Sequence, residues 1–160
     1  MDPSPLTALS PLDGRYHSKV ASLRTIFSEF GLIRRRVQVE VAWLRALSEN
    51  TQIPEVHALS AQAAGFLDEL VETFSEQDAA EVKEIEATTN HDVKAVEYFL
   101  KSKVEGSQEL SAMSEFIHFG CTSEDINNLS HALMLRDGHI VLSQQFQTVS
   151  DLLIDLAHQH

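Results

Sequence analysis

The stretch from residue 55 to residue 160 contains no proline. Proline interrupts helices because it lacks a backbone N–H and clashes with the preceding turn, so a segment without it can form long helices. Apolar residues recur along this stretch at spacings of three and four, which is the period of a helix with a buried face. The sequence therefore predicts an all-α fold.

The longest predicted helix runs from residue 123 to about residue 157. Its apolar residues follow a heptad-like pattern: Ile126, Leu129, Leu133, Leu142, Phe146, Val149, Leu153 and Leu156. Such a helix is roughly 50 Å long, whereas a compact chain of this size has a radius of gyration of about 15 Å. The apolar residues between 152 and 156 cover more than one face. We therefore expect either an oligomeric helical bundle or a chain cut short of its natural end.

Shorter helices are predicted upstream of the long one. Residues 1–18 hold three of the four prolines and are predicted to form a loop. Ser60 is predicted to cap one helix, and Ser75 with Asp78 resembles a capping box for the next. The predicted helices span residues 19–49, 61–74, 76–88, 92–104 and 110–119.

Composition narrows the classes of function. Acidic residues outnumber basic ones by 24 to 12, giving a net charge of −12, which argues against a nucleic-acid partner because phosphate contacts need a basic face. The lone cysteine, Cys121, has no partner for a disulfide and indicates a reducing, cytoplasmic setting. The sequence shows neither a secretion signal nor an apolar run long enough to span a membrane.

No self-contained catalytic signature is present. The chain lacks a GxGxxG loop, a GxxxxGK phosphate loop, a GxSxG elbow and an HExxH motif. No two of its eight histidines are four residues apart, so a zinc site on one helix face is not predicted.

Three polar segments stand next to strongly apolar sequence, at residues 14–16, 88–92 and 121–125. Asn90 is predicted to cap the helix that begins at Asp92. Thr122 or Ser123 is predicted to cap the longest helix. Helix N-termini present free N–H groups and attract carboxylate or phosphate oxygens. Ordinary capping alone would also explain these residue types.

Taken together, these segments resemble a known family. The strings are DGRY (13–16), TTNHDVKA (88–95) and EFIHFGCTSEDINN (115–128), and in this order they are similar to bacterial adenylosuccinate lyases, within the fumarase and aspartase superfamily. The resemblance covers essentially the whole chain. It implies an all-α homotetramer with a central bundle of long helices. Residues 1–121 would form the N-terminal helical domain, with an extended start at 1–18, and residues 122–160 the first long helix of the bundle.

The resemblance also implies a reaction. Members eliminate fumarate from adenylosuccinate, giving AMP, and from the succinylated aminoimidazole carboxamide ribotide of purine synthesis, with no cofactor. The substrate is a small molecule, so neither nucleic acid nor membrane is an expected partner. The residues implied to bind substrate are Arg15 and Tyr16 at the phosphate, Asn90, His91 and Asp92 lining the pocket, and Thr122 and Ser123 at a carboxylate or phosphate.

Two of these residues have more specific expected roles. Asp92 is expected to accept a hydrogen bond from a ribose hydroxyl or from His91. His91 itself is expected to be an auxiliary acid or an orienting group rather than the main proton donor.

The family segments that carry the presumed catalytic acid and base would lie beyond residue 160. The chain alone is therefore expected not to catalyse the reaction. Two alternatives remain open: another lyase of the superfamily, acting on argininosuccinate or aspartate, or a non-catalytic helical module that oligomerises through residues 123–157. Fold-level kinship alone does not separate them.

Overall fold

The computed structural model describes residues 4–159 and confirms the all-α prediction, with no strand in that range. The helices are α1 (Ala21–Phe27), α2 (Glu29–Glu49), α3 (Ala61–Glu72), α4 (Glu76–Thr89), α5 (Asp92–Val104), α6 (Gln108–Ala112) and α7 (Ser123–Gln159), with a 3₁₀ turn at Ser114–Phe116. Residues 1–3 and 160, which fall in the predicted loop and the last predicted helical segment, lie outside the described residues.

The segment before α1 is a series of turns, as predicted. Gly14 allows it to fold back on itself, because a Cβ at this position would lie 2.8 Å from the Pro5 carbonyl oxygen. The Gly14 carbonyl accepts from the His17 N–H at 3.2 Å. Arg24 of α1 then donates to the His17 carbonyl at 3.0 Å. The segment that carries Arg15 and Tyr16 is thus held by hydrogen bonds and by one close backbone approach.

The predicted single helix over residues 19–49 is wrong, because the chain breaks at Ser28 between α1 and α2. The Ser28 hydroxyl accepts from the Gly31 N–H at 3.2 Å. Gly31 itself approaches the Ile26 carbonyl so closely that any Cβ would overlap it. A serine that can cap a helix start, followed by a residue without a side chain, makes the break possible.

The predicted helix over residues 110–119 is also wrong. α6 ends at Ala112, a 3₁₀ turn follows, and the chain then passes through two left-handed residues, His118 (φ 64°) and Gly120 (φ 71°). α6 has already ended before these two residues, which direct the chain into α7.

The capping predictions for the middle helices are confirmed. The Ser60 hydroxyl accepts from the Ala63 N–H at the start of α3. Ser75 and Asp78 form a complete capping box on α4. The bounds of α5 agree with the predicted range. Local polar side chains therefore fix where these helices begin.

The chain divides into two compact units. One contains residues 32–133, and its core consists of aliphatic and aromatic side chains: Val37, Leu44, Leu67, Val82, Val93, Val96, Phe99, Leu100, Leu110 and Ile126. The other contains residues up to 31 and from 134 onward, where Gly138 of α7 leaves room for the Phe27 ring of α1. The domain boundary expected between residues 121 and 122 of the complete protein stays a prediction.

From residue 135 onward, α7 exposes many apolar side chains. They are Leu135, Ile140, Leu142, Phe146, Val149, Leu152, Leu153, Ile154 and Leu156, with Phe146 73% exposed. An exposed apolar stripe of this size on one helix is typical of an interaction surface. Among the described helices, none is both long enough and apolar enough to cross a membrane.

Candidate functional site

One buried arginine connects the start of α5 with the first turns of α7. Arg36 of α2 is only 5% exposed. Its Nη2 donates to Asp92 Oδ2 at 2.5 Å, and its Nε donates to Asn127 Oδ1 at 2.9 Å. The guanidinium therefore joins the polar segment at residues 88–92 to Asn127, two residues beyond the segment at 121–125. Its planar fork of donors suits two acceptors at once.

Asp92 is fixed as a carboxylate by these contacts. Its Oδ1 accepts from the Val93 N–H at 2.9 Å, while Oδ2 is bound by Arg36. Partial burial works against ionisation, but the Arg36 charge and the hydrogen bonds outweigh it and lower the pKa of Asp92 below its ordinary value of 3.8. At neutral pH the group can only accept hydrogen bonds.

The residue that caps α5 is His91, and the prediction that Asn90 does so is wrong. Asn90 ends α4 in the left-handed conformation, with φ 51°, and its N–H donates to the Glu86 carbonyl. His91 then adopts extended backbone angles, and its Nδ1 accepts from the Lys94 N–H at 3.1 Å. Asparagine tolerates the left-handed region better than most residues, so it suits the end of α4. The N-cap of α5 is therefore the next residue, His91.

The expectation that Asp92 accepts from His91 is wrong as well. His91 Nδ1 lies 3.8 Å from Asp92 Oδ1, beyond hydrogen-bonding distance, and already accepts from Lys94. That Asp92 accepts a hydrogen bond from a ribose hydroxyl of the substrate stays a prediction.

At the start of α7, the carboxylate of Asp125 accepts hydrogen bonds from the residue that precedes the helix. The Thr122 N–H and hydroxyl donate to Asp125 Oδ2 at 2.7 and 2.9 Å, and these bonds lower the pKa of Asp125. Thr122, the residue before α7, is thus joined to the first turn of the helix, and the prediction that Thr122 or Ser123 caps α7 stays a prediction. The Ser123 hydroxyl has no hydrogen-bond partner among residues 4–159. Of Thr122 and Ser123, it is therefore the one whose hydroxyl is free to donate.

A buried pair that the sequence analysis missed lies one helical turn from Arg36. Glu40 is fully buried, and its Oε1 is 2.6 Å from Nδ1 of His118. Its Oε2 has no partner within the described chain. Burial raises the pKa of Glu40, although the hydrogen bond with His118 opposes the shift. A sequence signal existed, since Arg36 and Glu40 are polar residues at i and i+4 among the buried valines of α2.

Arg15 and Tyr16 belong to the other unit of the chain. The Arg15 guanidinium lies 5.6 Å from the centroid of the Tyr16 ring, within the range of a cation–π contact. Tyr16 is exposed.

The remaining acidic, histidine and cysteine side chains are of the types that a metal site or a reactive thiol requires. Among the residues that the structure describes, no three His, Cys, Asp or Glu are placed to hold a metal ion. Burial, with the nearby charges of Glu40 and Asp125, raises the pKa of the Cys121 thiol, which keeps it protonated and unreactive at neutral pH.

Acidification is expected to destabilise the protein through its paired carboxylates. The pKa values of Asp92, Glu97 and Asp78 are lowered: burial opposes the shift in each, and hydrogen bonds and cationic partners outweigh it. A carboxyl group whose pKa is lower in the folded than in the unfolded protein stabilises the fold at pH values above its unfolded-state pKa. That contribution is lost as the pH falls through the folded-state pKa. Glu40, with its raised pKa, acts in the opposite direction.

We therefore expect the urea midpoint of unfolding to fall as the pH drops below about 4. Asp92→Asn, which removes one of the titrating groups, should show a shallower decline. A midpoint that rises on acidification would mean that Glu40 outweighs the three paired carboxylates.

Comparison with known proteins places the chain in a class. A lyase family model matches residues 14–160, and the chain belongs to this lyase family. The relatives it matches include the adenylosuccinate lyase of Escherichia coli strain K12, at 59% identity over 161 residues, covering 100% of this chain and 35% of that protein. The adenylosuccinate lyase of Haemophilus influenzae is 58% identical over the same shares of both chains. That of Legionella pneumophila strain Corby is 51% identical over 131 residues, or 82% of this chain and 29% of that protein. The chain spans about a third of the length of these relatives.

Proposed function

We propose that this chain is the N-terminal, substrate-binding part of an adenylosuccinate lyase. The observation that carries the proposal is the 59% identity to such an enzyme across the whole chain. The structure supports it, because the Arg36 guanidinium joins Asp92, which is implied to bind substrate, to Asn127 in the second turn of α7, the helix that begins at the implied binding residue Ser123. The proposed reaction breaks the bond between a succinyl carbon and the exocyclic amino nitrogen of the adenine. The neighbouring succinyl carbon loses a proton, the nitrogen gains one, and fumarate and AMP are released.

Each proposed binding residue has a donor or acceptor suited to part of this substrate. Arg15 and Tyr16 would bind the phosphate, and Asn90, His91 and Asp92 would line the pocket. Ser123 offers a free hydroxyl to a carboxylate, whereas Thr122 must first release Asp125. These local donors would offset the net charge of −12.

Proton transfer would depend on residues outside these 160. Elimination needs a base at the succinyl carbon and an acid at the departing nitrogen, and we propose that both lie elsewhere in the complete protein. The 160-residue chain alone is therefore expected to release no fumarate. No cofactor is proposed.

We further propose that the complete protein is a cytoplasmic homotetramer that acts on both adenylosuccinate and the succinylated ribotide. The apolar side chains exposed along α7 support an assembly in which long helices pack together. The unpaired Cys121 is consistent with a reducing compartment.

The proposal is tested by assaying fumarate release by the full-length product of the source gene. We expect turnover of adenylosuccinate and of the succinylated ribotide, with competition by AMP and none by arginine. Asp92→Asn and Ser123→Ala should each reduce turnover at low substrate concentration. The matched controls Asp68→Asn, at an exposed arginine-paired aspartate, and Ser111→Ala, at an exposed serine, should not.

The alternatives predict different results in the same assay. Turnover of argininosuccinate or aspartate with competition by arginine would indicate another lyase of the superfamily. No turnover of any of these substrates, with an intact oligomer, would favour the non-catalytic helical module.

A further inference from the structure

We propose that the fold holds His91 as its Nε2–H tautomer, so that this residue binds substrate as a hydrogen-bond donor and transfers no proton. The substrate half of this inference rests on the proposed function, whereas the tautomer does not. The observation that carries it is the contact between the Lys94 N–H and His91 Nδ1 at 3.1 Å.

The contact defines the protonation of the ring. A backbone N–H can only donate, so Nδ1 must present its lone pair to Lys94. Neutral imidazole carries a single proton on nitrogen, and with Nδ1 unprotonated that proton lies on Nε2. The cap of α5 therefore selects the tautomer.

Nothing among the described neighbours favours the other tautomer. The nearest carboxylate oxygen, Asp92 Oδ1, is 3.8 Å from Nδ1 and accepts from the Val93 N–H. Asp92 Oδ2 is bound by Arg36. The Lys94 ammonium is directed to Glu97, at 2.8 Å. The charged groups beside the ring are therefore already paired with other partners.

The backbone of His91 is held in place on both sides. Its N–H donates to the Thr89 hydroxyl oxygen at 3.4 Å, and its carbonyl accepts from the Ala95 N–H at 3.0 Å. The side chain is 52% exposed, and Nε2 has no hydrogen-bond partner among residues 4–159. A preorganised, unpaired N–H donor is thus available to a ligand, which lowers the entropy lost on binding.

Use of His91 as an acid or a base conflicts with the cap. A neutral ring that acts as a base through Nε2 must carry its proton on Nδ1, and an imidazolium carries protons on both nitrogens. Either form would remove the acceptor of the Lys94 N–H and leave the start of α5 uncapped. A donor role keeps the cap throughout the reaction and suits a phosphate, carboxylate or purine-nitrogen acceptor of the substrate.

Two substitutions test the roles of the two ring nitrogens of His91 separately. In His91→Asn, the amide oxygen can replace Nδ1, because asparagine is a preferred capping residue, but no donor reaches the Nε2 position. In His91→Gln, the longer side chain can place an amide N–H near the Nε2 position but forms a poor cap. The full-length gene product should be used, with KM, kcat and thermal midpoint measured for each variant.

We expect His91→Asn to keep the wild-type thermal midpoint but to raise KM for adenylosuccinate about 10-fold or more, as for a lost hydrogen bond to a charged acceptor. His91→Gln should have a lower midpoint and a KM closer to that of the wild type. The ¹⁵N NMR spectrum of the histidine side chains should show a signal from an unprotonated Nδ1 that is absent in His91→Asn.

Three outcomes would overturn the inference. Wild-type KM and kcat in His91→Asn would mean that His91 only caps α5. A fall in kcat at unchanged KM in both variants, with loss of one limb of the pH profile, would assign a proton transfer to His91. A protonated Nδ1 in the ¹⁵N spectrum would refute the tautomer. Absence of adenylosuccinate turnover by the wild type would instead refute the proposed function, with the tautomer still decided by the spectrum.

Discussion

Replacing Phe99 with alanine is expected to lower the free energy of unfolding by about 3–5 kcal/mol. The side chain is 0% exposed, in the core of the unit that contains residues 32–133. Its ring meets that of Phe74 edge to face, with 5.8 Å between the ring centroids, and the Lys103 ammonium lies 4.8 Å from the ring centroid. The substitution removes these contacts and leaves a cavity.

The neighbouring aromatic residue on α5 provides the control. Tyr98 is 43% exposed, and its ring is approached by the Lys94 ammonium at 5.1 Å. Tyr98→Ala should lower the free energy of unfolding by about 1 kcal/mol or less. Urea unfolding followed by circular dichroism measures both variants. Equal losses would show that Phe99 does not occupy the core position that the structure gives it.

Replacing Asp92 with alanine is expected to lower the free energy of unfolding by about 2–3 kcal/mol. The substitution leaves the buried Arg36 guanidinium with Asn127 as its remaining partner. Removing one partner of a fully buried ion pair costs about 3–5 kcal/mol. The expected loss is smaller here, because the Asp92 side chain is 45% exposed and solvent screens the pair.

A double-mutant cycle isolates the interaction between these two residues. Arg36→Met in the Asp92→Ala background removes the stranded charge, so the double variant should lose less stability than the sum of the single losses. The exposed Arg45–Asp68 pair is the matched control, and Asp68→Ala should change stability by about 1 kcal/mol or less. Additive losses for Arg36 and Asp92 would contradict their direct contact.

The same two residues connect stability with the proposed activity. Asp92 opens α5, Asn127 lies in the second turn of α7, and Arg36 joins both to α2. A change at Arg36 would therefore remove the contact that holds Asp92, a residue proposed to bind substrate, even though Arg36 itself is buried. This coupling distinguishes Arg36 from the surface arginines of the chain.

Local sequence predicted most of the helical architecture. Ser60, and Ser75 with Asp78, mark the starts of α3 and α4 because their side chains satisfy N–H groups only a few residues away. The absence of proline and the apolar period predicted α5 and α7 for the same local reason. The three polar segments, with the family resemblance, identified the residues proposed to bind substrate.

The wrong predictions occurred where backbone conformation rather than apolar period decides the structure. The break at Ser28 depends on the close approach of Gly31 to the Ile26 carbonyl. The turn before α7 depends on the left-handed conformations of His118 and Gly120. At the α4–α5 junction, two adjacent polar residues could each have formed the cap, and only the backbone angles assign it to His91.

The sequence by itself determined the helical class, most helix boundaries and the family, because these depend on periodicity, capping and motifs within a few residues. Only the tertiary structure decided the partners of the buried charges. Arg36 meets Asp92 and Asn127 across 56 and 91 residues of chain, and Glu40 meets His118 across 78. The helical period identifies the face on which a buried charge lies, but its partner is set by how the helices pack, which no local pattern contains.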